Sequence, residues 1–320
     1  MIKHSPEHFV TISDLEDKIR DFINGHRKQY GLLKDLAAWN MLCSCLDVIG
    51  DTELAIESYL KTPEPTDDGS KYLLVYGILQ TLFVQQDAVK NLTSALSIPY
   101  EPDSALLEIR GTRNDAVGHP TKRGGGRGDS FSFIVKMQLS IRSFQIFKTV
   151  LEDDRPFISI PVDIPDLIQK QQNLLGNVLN LVVEKLKLEE QEHRSKYMDK
   201  KLTALLPATL GYAFGAILES INGSKPFELG VIHIREIDRA INGLKIALAE
   251  IGELESSDGF QYELEQVDYP LKELIGYFEK PNNSYLNQKS AYIFSHFLKA
   301  KVGELKAMAK DIDEEYSTPV

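Results

Sequence analysis

The chain has 320 residues, 42% hydrophobic and 26% charged, a composition that excludes a disordered or fibrous protein and leaves room for one large domain or two. A formal net charge of −11 argues against a broad nucleic-acid-binding surface, so any contact with RNA has to be local. Cys43 and Cys45 stand one residue apart on a helical pattern, a poor geometry for a mutual disulfide. They read as small core residues in a reducing, cytoplasmic setting. The N-terminus runs into a charged amphipathic stretch, so no secretory leader is expected.

Ile12, Leu15, Ile19, Phe22 and Ile23 recur at helical spacing and predict a first helix over about 11–24, with Ser13-Asp14 as its start signal. A second spans about 30–49 and ends at Gly50. A short helix from Asp51 to Leu60 is closed by Thr62-Pro63-Glu64-Pro65. A long helix follows from Asp68 to Leu96, and after Pro99 and Pro102 another from Asp103 to Val117.

Beyond His119 the run Lys122-Arg123-Gly124-Gly125-Gly126-Arg127-Gly128 interrupts regular structure. Phe131, Phe133, Val135, Met137 and Leu139 then alternate with mostly polar residues, the period of a half-buried strand. Phe144 to Leu151 and Phe157 to Ile160 supply two more strand-like runs, although Ile141, Phe144, Phe147 and Leu151 also suit a helix. From Ile164 onward helices are expected over about 164–203, 205–221, 231–254, 258–279 and 284–311. The uncharged stretch Leu202–Leu218 is at the short end of the roughly 17–25 residues a spanning helix needs, and it holds Pro207 and two glycines. A buried helix is the better reading, and no membrane partner is expected. The fold class is therefore mainly α: a helical domain over 1–128, a small antiparallel β meander over 129–161 and a helical region over 162–320 of no assigned role.

Several signatures of chemistry are missing: GxxxxGK[ST], G-x-S-x-G and H-E-x-x-H do not occur. Glu189-Glu190 and Glu314-Glu315 read as solvated surface, and His26, His193, His233 and His296 as structural or exposed. No metal or cofactor is implied. Arg113-Asn114-Asp115-Ala116-Val117-Gly118-His119 is different. An arginine, a polar residue and a histidine after five intervening residues resemble the R-x(4–6)-H signature of the HEPN superfamily, whose domains are helical bundles. The resemblance covers about residues 10–120. It implies a metal-independent endoribonuclease, in keeping with a toxin or phage-defence effector, with Arg113, Asn114 and His119 as the catalytic set. It also implies RNA as substrate, a homodimer with two motifs facing one cleft, and an antitoxin or regulatory partner.

The residue types suit that reaction. When a 2′-hydroxyl attacks the neighbouring phosphate, one group must take its proton, another must protonate the leaving oxygen, and a cation must offset phosphorane charge. Histidine, titrating near ~6.5, serves either proton role, and arginine presents a permanently charged fork to phosphate. On an ideal helix six residues advance roughly 600°, leaving Arg113 and His119 about 120° apart. Gly118 and Pro120 place His119 beyond the helix end. Lys122, Arg123 and Arg127 form a local cationic flank suited to steering RNA. The competing readings are a non-catalytic module that binds RNA, a nucleotide or a protein, and an adaptor in which Arg113 merely caps the last carbonyls of its helix.

Overall fold

The computed structural model describes residues 10–122, 130–150 and 157–319. It is mainly α-helical with one three-stranded antiparallel sheet, and its contacts divide the chain into two compact units. One comprises the chain up to Ile23 with Leu32–Leu186; the other comprises Asn24–Gly31 with Lys187 onward.

The first unit begins with α1 (Ile12–Asn24), which carries a capping box. The Thr11 N–H donates to Asp14 at 2.8 Å, and the Asp14 N–H returns a bond to the Thr11 hydroxyl at 3.1 Å. After α2 (His26–Leu33), Asp35 caps α3 (Leu36–Lys61) by accepting from the Ala37 and Ala38 N–H groups. Gly50 does not end a helix. α3 runs through it, because Leu42, Leu46, Ile49 and Ile56 keep one buried stripe on both sides of the glycine and tertiary burial outweighs a helix penalty of about 1 kcal/mol. α4 (Asp68–Ala95) packs along α3, and α5 (Ser104–Arg113) starts on Asp103.

The sheet joins this unit as β1 (Ser130–Ile134), β2 (Ser143–Val150) and β3 (Ile158–Asp163), a meander in chain order. Phe144 is therefore on a strand, not a helix; Leu151 lies outside the described residues. The Arg142 guanidinium bolts the β1–β2 connection to α3 by donating to the Leu60 and Thr62 carbonyls at 2.8 and 2.9 Å. α6 (Ile164–Tyr197) contributes its first part to this core. There Gln171 fills its hydrogen-bonding capacity inside the protein, donating to Gln85 and the Leu82 carbonyl and accepting from Gln86.

β1 turns its expected apolar face the other way. Ser130 and Ser132 are buried, whereas Phe131 and Phe133 are exposed. The reason lies in what Ser132 holds, described below.

The second unit is helical throughout: a turn at Leu202–Leu205, then α7 (Leu210–Ile221), α8 (Phe227–Ile251), α9 (Asp258–Glu279) and α10 (Gln288–Ser317). By length and composition, one window within Ile164–Ile221 is apolar enough to cross a membrane. α7 has only 12 residues, about 18 Å of helix against a hydrocarbon core of ~30 Å, and it buries Leu210, Ala213, Phe214 and Ile217 in this unit's core. α8 passes α9 so closely that a Cβ on Gly230 would lie 2.1 Å from the Phe278 ring, so only glycine fits there.

Candidate functional site

Arg113 is the last residue of α5, and its side chain is spent on neither solvent nor helix carbonyls. Nε and Nη2 donate to Gln80 Oε1 at 3.0 and 2.7 Å, and Nη1 donates to Asn114 Oδ1 at 3.0 Å. The guanidinium lies over the Phe83 ring at 4.3 Å. Arg110 stacks on the same ring at 4.0 Å and bonds Asp87 at 2.7 Å. An arginine has five N–H groups, and among the described residues three of them are engaged. Asn114 thus accepts one hydrogen bond from Arg113.

Past Arg113 the helix widens into a π turn, Asn114–Gly118, closed by the His119 N–H donating to the Asn114 carbonyl at 2.8 Å. Such turns bond residue i to i+5, so residues five apart stack along the axis, and they occur often at functional sites. Gly118 is thereby set against Arg113: a Cβ there would lie 2.5 Å from Nη1 and 3.2 Å from Asn114 Oδ1. The ideal-helix phase expected for this segment does not hold, because the π turn changes it within one chain. His119 itself leaves the helix at φ −138° and ψ 47° and is exposed.

Asp115 faces inward and is buried. One register pair of the sheet clamps it. Ser132 on β1 and Lys148 on β2 are directly opposite; the Ser132 hydroxyl donates to the Asp115 carbonyl at 2.7 Å, and Lys148 Nζ pairs with the Asp115 carboxylate at 2.7 Å. The Ser132 N–H also donates to the Pro120 carbonyl at 2.8 Å. These bonds require Ser132 and Lys148 on the inner face, and strand alternation then forces Phe131, Phe133 and Phe147 outward.

A groove of about 870 Å³ between α5, the sheet and the start of α6 shares Asp115 with the motif but is lined by neither Arg113, Asn114 nor His119. His119 itself is exposed, as is Lys122. Arg123 and Arg127 lie outside the described residues. Gln80 and Phe83, which seat the arginine, were not singled out from the sequence. Their i, i+3 placement with Asp87 on one face of α4 was the available signal.

The remaining groups have structural partners. His193 bonds the Tyr316 hydroxyl at 2.9 Å, and that hydroxyl donates to Glu253 at 2.9 Å; burial holds the His193 pKa below its ordinary value, helped by the positive charge of Arg27. His233 faces Glu236 at 3.1 Å. Cys43 and Cys45 are free thiols whose pKa values are raised by burial, which makes them poor nucleophiles. Among the described residues, no three His, Cys, Asp or Glu side chains converge as a metal site. No protein-family model, curated protein or solved structure matches the chain.

Proposed function

We propose that the Arg113–His119 segment is the catalytic element of a HEPN-type endoribonuclease that works without a metal ion. The observation that supports this reading is the placement of the Arg113 guanidinium on the backbone of Gly118, next to an exposed His119. The phosphate of a single-stranded RNA meets that guanidinium. The 2′-hydroxyl forms a bond to phosphorus as His119 removes its proton, and the bond to the 5′-oxygen breaks as that oxygen is protonated. The products are a 2′,3′-cyclic phosphate and a 5′-hydroxyl end. Positioned acid–base catalysis of this kind contributes roughly 10²–10⁴-fold.

One histidine cannot be base and acid in the same instant. A homodimer with two motifs facing one cleft supplies the second. Its setting is the cytoplasm, where RNA and reduced thiols such as Cys43 and Cys45 coexist, as toxin or phage-defence effector under a regulatory partner.

The chemical test is incubation of the full-length protein with 5′-labelled single-stranded RNA in EDTA. Products ending in 2′,3′-cyclic phosphate are expected, and absence of cleavage, or 3′-hydroxyl ends, refutes the reading. In cells, toxicity on induced expression that Arg113→Ala relieves is expected of an effector.

A further inference from the structure

The outer face of the sheet carries an unusual set of side chains. Phe133, Phe147 and Phe157 form an open triangle with ring centroids 5.8, 6.1 and 6.2 Å apart and interplanar angles of 59°, 32° and 80°. Phe157 is 56% exposed, Phe133 51% and Phe131, one alternation along β1, 38%. Phenylalanines are normally paid for by burial, and here the register of β1 withholds it, because Ser132 and Lys148 must face Asp115. The same face carries Thr149, opposite Phe131, Ser159, Pro161 and Asp163 of β3, and Gln145, whose carbonyl oxygen accepts from the Ser159 hydroxyl at 3.0 Å. Phe147 is half-buried between the other two rings, and Ile134, Ile158 and Ile160 of the strands are half-buried as well.

We propose that this face is a base-stacking platform for single-stranded RNA, on which Phe133, Phe147 and Phe157 receive bases of the strand whose phosphate lies at Arg113 and His119. The proposal rests on the ribonuclease reading and supplies its substrate grip. Aromatic rings displayed on an antiparallel sheet stack bases without regard to sequence, and amide and hydroxyl groups between them meet base edges.

Placement favours RNA over a protein partner. The Ser132 N–H bonds the Pro120 carbonyl, so Phe133 and His119 are each one residue from a hydrogen-bonded pair. Their Cα atoms are then at most about 13 Å apart, from about 3.8 Å per residue step and about 5.5 Å across the pair. At about 3.4 Å per stacked nucleotide, the span between these two Cα atoms is at most about four nucleotides. Charge agrees: from Ala116 to Lys122 there is no acidic residue, and His119 and Lys122 are both exposed. A chain of net charge −11 offers little else to a polyanion.

The test uses full-length His119→Ala protein, which cannot turn over substrate, and a fluorescein-labelled 12-nucleotide single-stranded RNA read by fluorescence anisotropy. Phe157→Ala and Phe133→Ala added to that background are each expected to raise the dissociation constant roughly 5- to 150-fold, the range for loss of one stacked base. Phe133→Tyr is expected to retain affinity and Phe133→Leu to lose it, since a ring and not apolar area is required. Phe133 and Phe157 are both at the surface, so far-UV circular dichroism and melting are expected to be unchanged. Unaltered RNA affinity in Phe157→Ala and Phe133→Ala overturns the platform, as does affinity kept in Phe133→Leu or a concentration-dependent dimer that those changes dissolve without affecting RNA. If the alanine changes abolish binding while wild-type protein leaves the RNA uncut, the platform stands and the nuclease reading falls; cleavage with unaltered binding gives the reverse.

Discussion

Gly118 offers a direct way to ask whether the seating of Arg113 is real. A Cβ at this position would lie 2.5 Å from Nη1, 3.2 Å from Asn114 Oδ1 and 3.3 Å from Cζ, so Gly118→Ala expels the guanidinium from its place. The helix gains about 1 kcal/mol from alanine over glycine. Against this stand three hydrogen bonds from a half-buried cation and its stacking on Phe83. Water replaces part of these, which leaves a loss of about 2 kcal/mol rather than the full 1.5–3 kcal/mol for each charged bond. In the wild-type background Gly118→Ala should therefore destabilise by about 1 kcal/mol. In an Arg113→Ala background the obstacle is gone, and the same change should stabilise by up to about 1 kcal/mol, a coupling near 2 kcal/mol. Trp39, the single tryptophan, belongs to the same unit and reports its urea unfolding by fluorescence. An effect of equal sign and size in both backgrounds would refute the reasoning.

Other perturbations test neighbouring parts. Lys148→Met removes an ion pair from the buried Asp115 carboxylate, and since the lysine keeps 21% side-chain exposure, destabilisation of about 1–3 kcal/mol is expected, below the 3–5 kcal/mol for breaking a fully buried pair; a change under about 0.5 kcal/mol in the same urea assay would contradict it. His193 has a folded-state pKa below 6.5, so the folded protein binds protons less readily than the unfolded one in that window. Its contribution is fully present above about pH 6.5 and is lost as pH falls from there through the lowered folded value. Urea midpoints measured from pH 7.5 down to 5.5 should drop more steeply in wild type than in His193→Gln, and parallel profiles would show that the histidine is not the cause. The platform phenylalanines carry their own binding test above.

Much of the fold was legible because long amphipathic stripes leave few alternatives. α1, α4 and α9 fall within a residue or two of their periodic patterns, and a three-stranded meander forms where it was expected, although β1 ends at Ile134 and the rest of its alternating run, Val135 to Leu139, leaves the strand through a 3-10 turn at Lys136–Gln138. What escaped depended on tertiary partners. Gly50 reads as a break until the core on both sides of it is known. The outward face of Phe131 and Phe133 follows from hydrogen bonds between Ser132 and a segment twelve or more residues away, which no period-2 pattern encodes. The motif itself was visible as Arg113, Asn114 and His119, and so was the position of His119 off the helix end. The π turn was not, since it adds a residue to a helical turn with no sequence mark other than the glycine it needs. Gln80 and Phe83 left only their shared helix face as a signal: they matter because of what α5 lays against them.

Rates of RNA cleavage in EDTA test catalysis by Arg113 and His119 most directly. Wild type, His119→Ala and Arg113→Ala should be compared at equal protein concentration, with folding checked by Trp39 fluorescence. Loss of at least about 100-fold is expected for each variant, from a missing proton-transfer group and a missing transition-state cation. Cleavage by His119→Ala at the wild-type rate would contradict it.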